Sequence, residues 1–129
     1  MQGMILFAHG ARLTQWAEPF ERVAQRLRGA QPSLLVELAF LEFMSPDLAQ
    51  CGTDLVERGC TRIDVLPLFL GAGGHVRKDL PQRVQEMAER YPQVQWALRP
   101  AAGESDILVD ALAQVDLQYI QSPQGAASR

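Results

Sequence analysis

Apolar and polar positions along the chain fall into alternating blocks. Met4–Ile5–Leu6–Phe7–Ala8 is a continuous apolar run, the pattern of a short strand buried on both faces. From Glu18 onward, Phe20, Val23, Ala24 and Leu27 recur at helical spacing, with Arg22, Gln25, Arg26 and Arg28 outward and Gly29 as the stop. Leu34 to Leu41 reads as a second strand that tolerates Glu37. Ser45–Pro46–Asp47 reads as an N-cap with proline at the first helical position, opening a helix to about Arg58 that Gly59 closes. Arg62 to Leu70 is a third strand, in which Pro67 marks the end of a ladder or an edge because it has no N–H. Gly71–Ala72–Gly73–Gly74 leads to His75 and a helix from about Val76 to Arg90, with Leu80, Val84 and Met87 on one face. Val94 to Leu98 gives a fourth strand. Ser105 to Ile120 gives a last helix with Ile107, Leu108, Ala111, Leu112 and Val115 inward.

Strand–helix alternation of this kind implies right-handed crossovers. The expected fold is therefore α/β, with about four mostly parallel strands and helices on both faces. Residues 1–120 form one domain, and 121–129, small and polar, a flexible tail. Composition narrows the picture without redirecting it. The 129 residues are 47% hydrophobic and 21% charged, which suits a folded domain and excludes wholesale disorder. No apolar run is long enough to span a bilayer, and the apolar start lacks the basic flank of a signal peptide, so a cytoplasmic protein is expected. A net charge of −3 argues against general nucleic-acid binding, though not against one basic patch for a small anion. Cys51 and Cys60 are nine positions apart, a spacing that fits neither a zinc knuckle nor a redox pair; they read as buried free thiols.

In parallel sheets, ligands bind beyond the carboxyl ends of the strands. His9, Gly10, Ala11 and Arg12 follow the first strand, and Glu42 follows the second. The glycine turn, His75, Arg77 and Lys78 follow the third. Both histidines of the chain thus fall on one edge with a carboxylate. Singly, each has an ordinary reading: a turn residue, a strand-end charge, a helix-start residue or a solvated cation. The nucleotide-binding patterns G-x-G-x-x-G and G-x-x-x-x-G-K-[ST] are both incomplete, and no serine or cysteine nucleophile stands on a sharp elbow. What remains is a site of two imidazoles and a carboxylate, suited to Co²⁺, Fe²⁺, Ni²⁺ or Zn²⁺.

Three segments carry a resemblance: LFAHGAR (6–12), LAFLEFMSPDL (38–48) and LPLFLGAGGHVRKDLP (66–81). They resemble the small sirohydrochlorin cobaltochelatases and ferrochelatases, the short single-domain form of the class II tetrapyrrole chelatases, from Met4 to about Ile120. The resemblance implies a chelatase-like three-layer sandwich. It implies ATP-independent insertion of Co²⁺ or Fe²⁺ into sirohydrochlorin, in cobalamin or sirohaem synthesis. The divalent metal (Co²⁺, Fe²⁺ or Ni²⁺) is then a substrate, with no permanently bound cofactor.

By matching motifs, His9 and His75 correspond to the family's metal-handling histidines and Glu42 to its acidic residue. Ala11 stands where the family commonly has serine. Insertion strips two pyrrole protons while the metal loses water, and a neutral imidazole, with an ordinary pKa of about 6.5, can ligate or accept a proton. The substrate is a polycarboxylate, so Arg12, Gly73, Gly74, Arg77 and Lys78 are candidate anchors. A single half of the larger, two-lobed relatives implies a homodimer, with the 45–58 helix and Phe43–Met44 as candidate contacts. A carrier that binds metal or tetrapyrrole without inserting remains the alternative, as does a plain α/β interaction domain.

Overall fold

The computed structural model describes residues 1–121. Four strands, β1 (Gln2–Ala8), β2 (Leu35–Phe40), β3 (Arg62–Pro67) and β4 (Gln95–Leu98), form one sheet in the order β2-β1-β3-β4. All three pairings are parallel. The helices are α1 (Glu18–Ala30), α2 (Leu48–Glu57), α3 (Gly74–Arg90) and α4 (Asp106–Gln121), with short 3₁₀ turns at Thr14–Ala17 and Ala102–Glu104. The tail expected over 121–129 lies outside the described residues except for Gln121, which ends α4.

Alternation along the central strands sorts the core into two sides. Ile5 and Phe7 of β1 and Ile63 and Val65 of β3 face α2 and α3, meeting Leu48, Cys51, Leu55, Leu80 and Val84. On the opposite face Leu6 and Val36 meet Ala24 of α1. Phe7, Ile5, Leu6, Leu55, Ile63 and Val65 are the largest side chains shut off from solvent. Each such burial is worth about 1.5–3 kcal/mol before the chain's entropy is set against it.

Helix α2 is pinned at both ends by its sequence. Asp47 is the N-cap: its side chain accepts from the Gln50 amide while the Gln50 side chain accepts from the Asp47 amide. The helix therefore begins at Leu48, and Ser45 and Pro46 precede the cap instead of forming it. At the other end Gly59 has φ 96°, its amide bonds the Val56 carbonyl, and Cys60 bonds Leu55, a paired closure that needs a left-handed residue. Helix α1 runs through Gly29 to Ala30. Strand β3 stops at Pro67, so the proline ends a ladder between β1 and β4 and does not lie at an edge. Helix α3 begins at Gly74, which places His75 within its first turn.

The largest departure from expectation is α4. None of its residues is buried, and the apolar positions expected to face inward include Ile107 (83% exposed), Leu112 (44%) and Val115 (51%). Helix α1 covers β2 and β1 on its side of the sheet, but α4 does not close over β3 and β4. Periodicity reports an apolar stripe; it does not report what covers it.

On that open side lies Asp64 of β3, only 5% exposed. Its carboxylate accepts from Arg62 Nε at 3.3 Å and Arg99 Nε at 3.1 Å. Both guanidinium groups are half in solvent, which tempers the cost of losing their partner. Asp64→Ala is expected to lower stability by about 1–2 kcal/mol. Asp64→Asn, which keeps one acceptor, should lose less. Urea unfolding at unchanged slope measures both.

Candidate functional site

The parallel ladder does not stop where the strands do. The Leu41 amide bonds the Ala8 carbonyl and the Glu42 amide bonds the His9 carbonyl, carrying β1–β2 pairing two steps further. Gly10 then turns with φ 91°, and a Cβ on it would overlap the carbonyl oxygen of Glu42. Only glycine allows both the left-handed turn and this approach. The two loops are thereby held main chain to main chain, and their side chains meet above the contact.

His9 Nε2 lies 2.9 Å from Glu42 Oε1. An ionised carboxylate can only accept, so the imidazole donates Nε2–H, and in the neutral ring the lone pair on Nδ1 is left for a metal or a proton. Both side chains are about half exposed, 50% and 48%. An exposed pair of this kind adds little to stability, about 0–1 kcal/mol; its effect is to fix which nitrogen is free. Behind it, the His9 ring stands edge-on to buried Phe69 at 6.4 Å, and Phe69 edge-on to Phe7 at 6.0 Å. The site rests on the core through these rings.

Arg12 places its guanidinium 4.5 Å over the ring of Phe43. Phe43 has φ 66°, the only positive value at a non-glycine residue among those described. Such a conformation costs about 1–3 kcal/mol and needs surrounding support. It leaves the ring 55% exposed beside Glu42. Met44, in contrast, packs partly against Ala8, Ala17 and Phe40, so the apolar pair expected to continue outward divides between a core and a rim.

Strands β1 and β3 are parallel neighbours, so His75 belongs to the same sheet edge as His9. Gly73 caps α3 in extended conformation, Gly74 is its first residue, and His75, Arg77 and Lys78 are exposed on its opening turns. Pro81, inside the helix, offers no N–H to the Arg77 carbonyl. His9 and Glu42 are brought together; His75 is not in contact with them. Among the described residues no three His, Cys, Asp or Glu side chains cluster closely enough to hold a metal ion. Phe69 and the Arg12–Phe43 stack escaped the sequence reading, because aromatic residues at strand ends carry no periodic signal of a site.

The two cysteines stay out of this chemistry. Both are buried and free. Burial, reinforced by Glu37, Asp54 and Asp47, pushes the Cys51 thiol up to about 12, and burial raises Cys60 as well. Both remain thiols at neutral pH and are poor metal ligands. Iodoacetamide at pH 8 is expected to modify neither in the folded protein and both after denaturation, as read by mass spectrometry. Gly10→Ala should disrupt the loop contact, costing about 1–3 kcal/mol and separating His9 from Glu42. Thermal unfolding and the His9 ring NMR signals check the two parts of that expectation.

Comparisons with known proteins place this architecture. The family model described as CbiX matches residues 3–116. The sirohydrochlorin ferrochelatase of Priestia megaterium is 31% identical over 114 residues, covering 88% of this chain and 43% of that protein. The sirohydrochlorin cobaltochelatase of Sulfolobus acidocaldarius is 34% identical over 90 residues, 70% of this chain and 72% of that one. The chain thus spans less than half the length of the first relative and about three quarters of the second. Among solved structures, a CbiX protein of Marinobacter aquaeolei VT8, provisionally assigned to cobalamin biosynthesis, superposes with a TM-score of 0.82 at 27% identity, covering 94% of this chain and 98% of that one. The sirohydrochlorin chelatase SirB of Bacillus subtilis subspecies spizizenii in complex with cobalt gives 0.72 at 26% identity, over 88% of this chain and 48% of that one. The match over nearly all the described residues, on a four-stranded parallel sheet of the same fold, means that the chain belongs to the CbiX family.

Proposed function

We propose that the protein inserts a divalent metal, Co²⁺ or Fe²⁺, into sirohydrochlorin without ATP, in the cytoplasm and as a homodimer. The observation that carries this reading is the His9–Glu42 hydrogen bond at the carboxyl edge of the sheet, which leaves one imidazole nitrogen free and oriented. Relatives named as sirohydrochlorin cobaltochelatase and ferrochelatase supply the substrate and the two metals. Imidazole ligands bind both, so the choice between them rests on availability.

In this reading His9 and His75 are the metal's protein ligands, each weak enough alone to yield the ion to four macrocycle nitrogens. As the metal moves, one pyrrole proton passes to the Nδ1 lone pair of His9 and the other to the unprotonated ring nitrogen of His75. Glu42 acts through His9, holding the tautomer and stabilising the charge that forms when the ring is protonated. Arg12, Arg77 and Lys78, with the free amides of Gly73 and Gly74 at the start of α3, face the substrate carboxylates. The reading of a homodimer is supported by a helix, α4, of which no residue is buried within its own copy.

Purified protein, anaerobic sirohydrochlorin and a panel of Co²⁺, Fe²⁺ and Ni²⁺, followed by absorbance, test the proposal. Many turnovers per chain are expected; a yield that stops at one equivalent identifies a carrier and overturns the enzyme. His9→Ala and His75→Ala should each lower the rate about 100-fold or more with melting unchanged, since both side chains are exposed. Glu42→Gln should lose about 10–100-fold, because an amide no longer fixes the tautomer.

A further inference from the structure

Two features of this chain are incomplete in complementary ways. The side of the sheet that carries α1 is covered over β2 and β1 and open over β3. There a groove of about 930 Å³ runs between α1, the end of β3 and the first turns of α4. Its walls include Phe20 and Val23, Leu66 and Leu68, and Ile107 and Leu112.

Helix α4 is the complement. It is apolar on more than one side: Ile107, Leu112, Val115 and Tyr119 are exposed on one flank, and Val109, Leu117 and Ile120 elsewhere around it. Asp110, Gln114, Gln118 and Gln121 leave it one polar stripe, and the apolar residues on both sides of that stripe need more cover than one contact face gives. Here it has no buried residue and touches the rest of the chain chiefly through the 3₁₀ turn at Ala102–Glu104.

Charge points the same way. Helix α4 carries Asp106, Asp110 and Asp116 and no lysine or arginine. The groove is edged by Arg99, and Arg26 lies one turn beyond Val23 on α1. Arg99 shares Asp64 with Arg62, so this side of the sheet holds two guanidinium groups against one carboxylate. Glu104 also lines the groove, but its carboxylate is engaged with the Ala101 amide.

We propose that α4 of a second copy fills this groove, each chain laying its last helix across the uncovered part of the other's sheet. The groove and the helix are on the same chain, so one two-fold axis satisfies both copies and closes the assembly. Between the partner's sheet and the partner's α4, the inserted helix meets apolar surface on two sides, which accounts for the apolar residues that flank its polar stripe. The groove also includes Phe69 and Leu70; Phe69 backs the His9 ring, so the exchanged helix reaches the rear wall of the site. This inference rests on the homodimeric reading above and adds where the interface is.

Light scattering across a concentration series, on the wild type and on Ile107→Glu/Leu112→Glu, separates the two claims. The wild type is expected at about twice 14.3 kDa. The variant is expected to dissociate, its dimer Kd raised at least tenfold, with its circular dichroism unchanged. Leu68→Glu, on the opposite wall, should do the same, so one misfolded variant does not decide the outcome. A wild type monomeric at every concentration overturns both the homodimer and the exchange. A dimer that survives all three substitutions keeps the homodimer and overturns the exchange. Mixing Leu68→Cys chains with chains carrying Val109→Cys, Val115→Cys or Leu117→Cys reads the geometry directly, because only a bond between copies joins the two variants. At least one of the three pairs should give an oxidised heterodimer; none doing so overturns the proposal.

Discussion

The contact between Gly10 and the Glu42 carbonyl is made by main chain alone, and the site is built upward from it. It exists because β1 is bonded on both sides in a parallel sheet and is shut away from water along Ile5, Leu6, Phe7 and Ala8. A strand so constrained delivers its last residue to a fixed place, and the two hydrogen bonds beyond the strand ends carry that order into the loops. His9 and Glu42 need little of their own to find each other. Their pairing is a product of backbone geometry, which half-exposed side chains on mobile loops would not maintain.

The same division runs through the whole molecule. On the α2–α3 side the sheet is buried in the ordinary way, by aliphatic packing under two helices, of which α2 carries a capping box and α3 starts at a glycine with no side-chain cap. On the other side it is buried only in part, and the ion pairs of Asp64 with Arg62 and Arg99 stand where a helix would otherwise lie. On the α2–α3 side the ion pairs, Arg58 with Glu37 and Asp54 and Arg83 with Asp79, are solvent-exposed or partly so, whereas on the open flank a buried carboxylate is involved. Phe69 joins the carboxyl edge to the open flank, touching His9 at one and the apolar groove at the other.

What was legible in the sequence follows from how each signal arises. Strands β1 and β3 are apolar runs bounded by turn residues, and α2 ends in a glycine that only a left-handed closure explains; such features are local, and they appear in place. The N-cap of α2 was misplaced by two residues, because Ser45 and Asp47 are both good caps and only Gln50, answering Asp47 three residues on, decides between them. His9 and Glu42 could be assigned to one edge by topology, but their hydrogen bond could not, since it depends on Gly10 closing the gap between loops. The apolar positions of α4 were read correctly as apolar and wrongly as inward. Periodicity records which positions avoid water and is silent on whose surface shields them.

In the proposed reading, the proline within α3 bears on how long an ion would remain at this edge. With no N–H at Pro81 to hold the Arg77 carbonyl, the turns that carry His75 are joined to the core-packed half of the helix, around Val84 and Met87, by one backbone bond fewer than a regular helix provides. The two histidines are thus mounted unequally, one on a ladder and the other on a looser helical start. A donor on a looser mount can swing away first, so an ion held by both would be released stepwise, from two nitrogens to one. Its residence time would be set by the weaker mount, and a cargo that must be handed on is served better by such an asymmetric grip than by two rigid ligands.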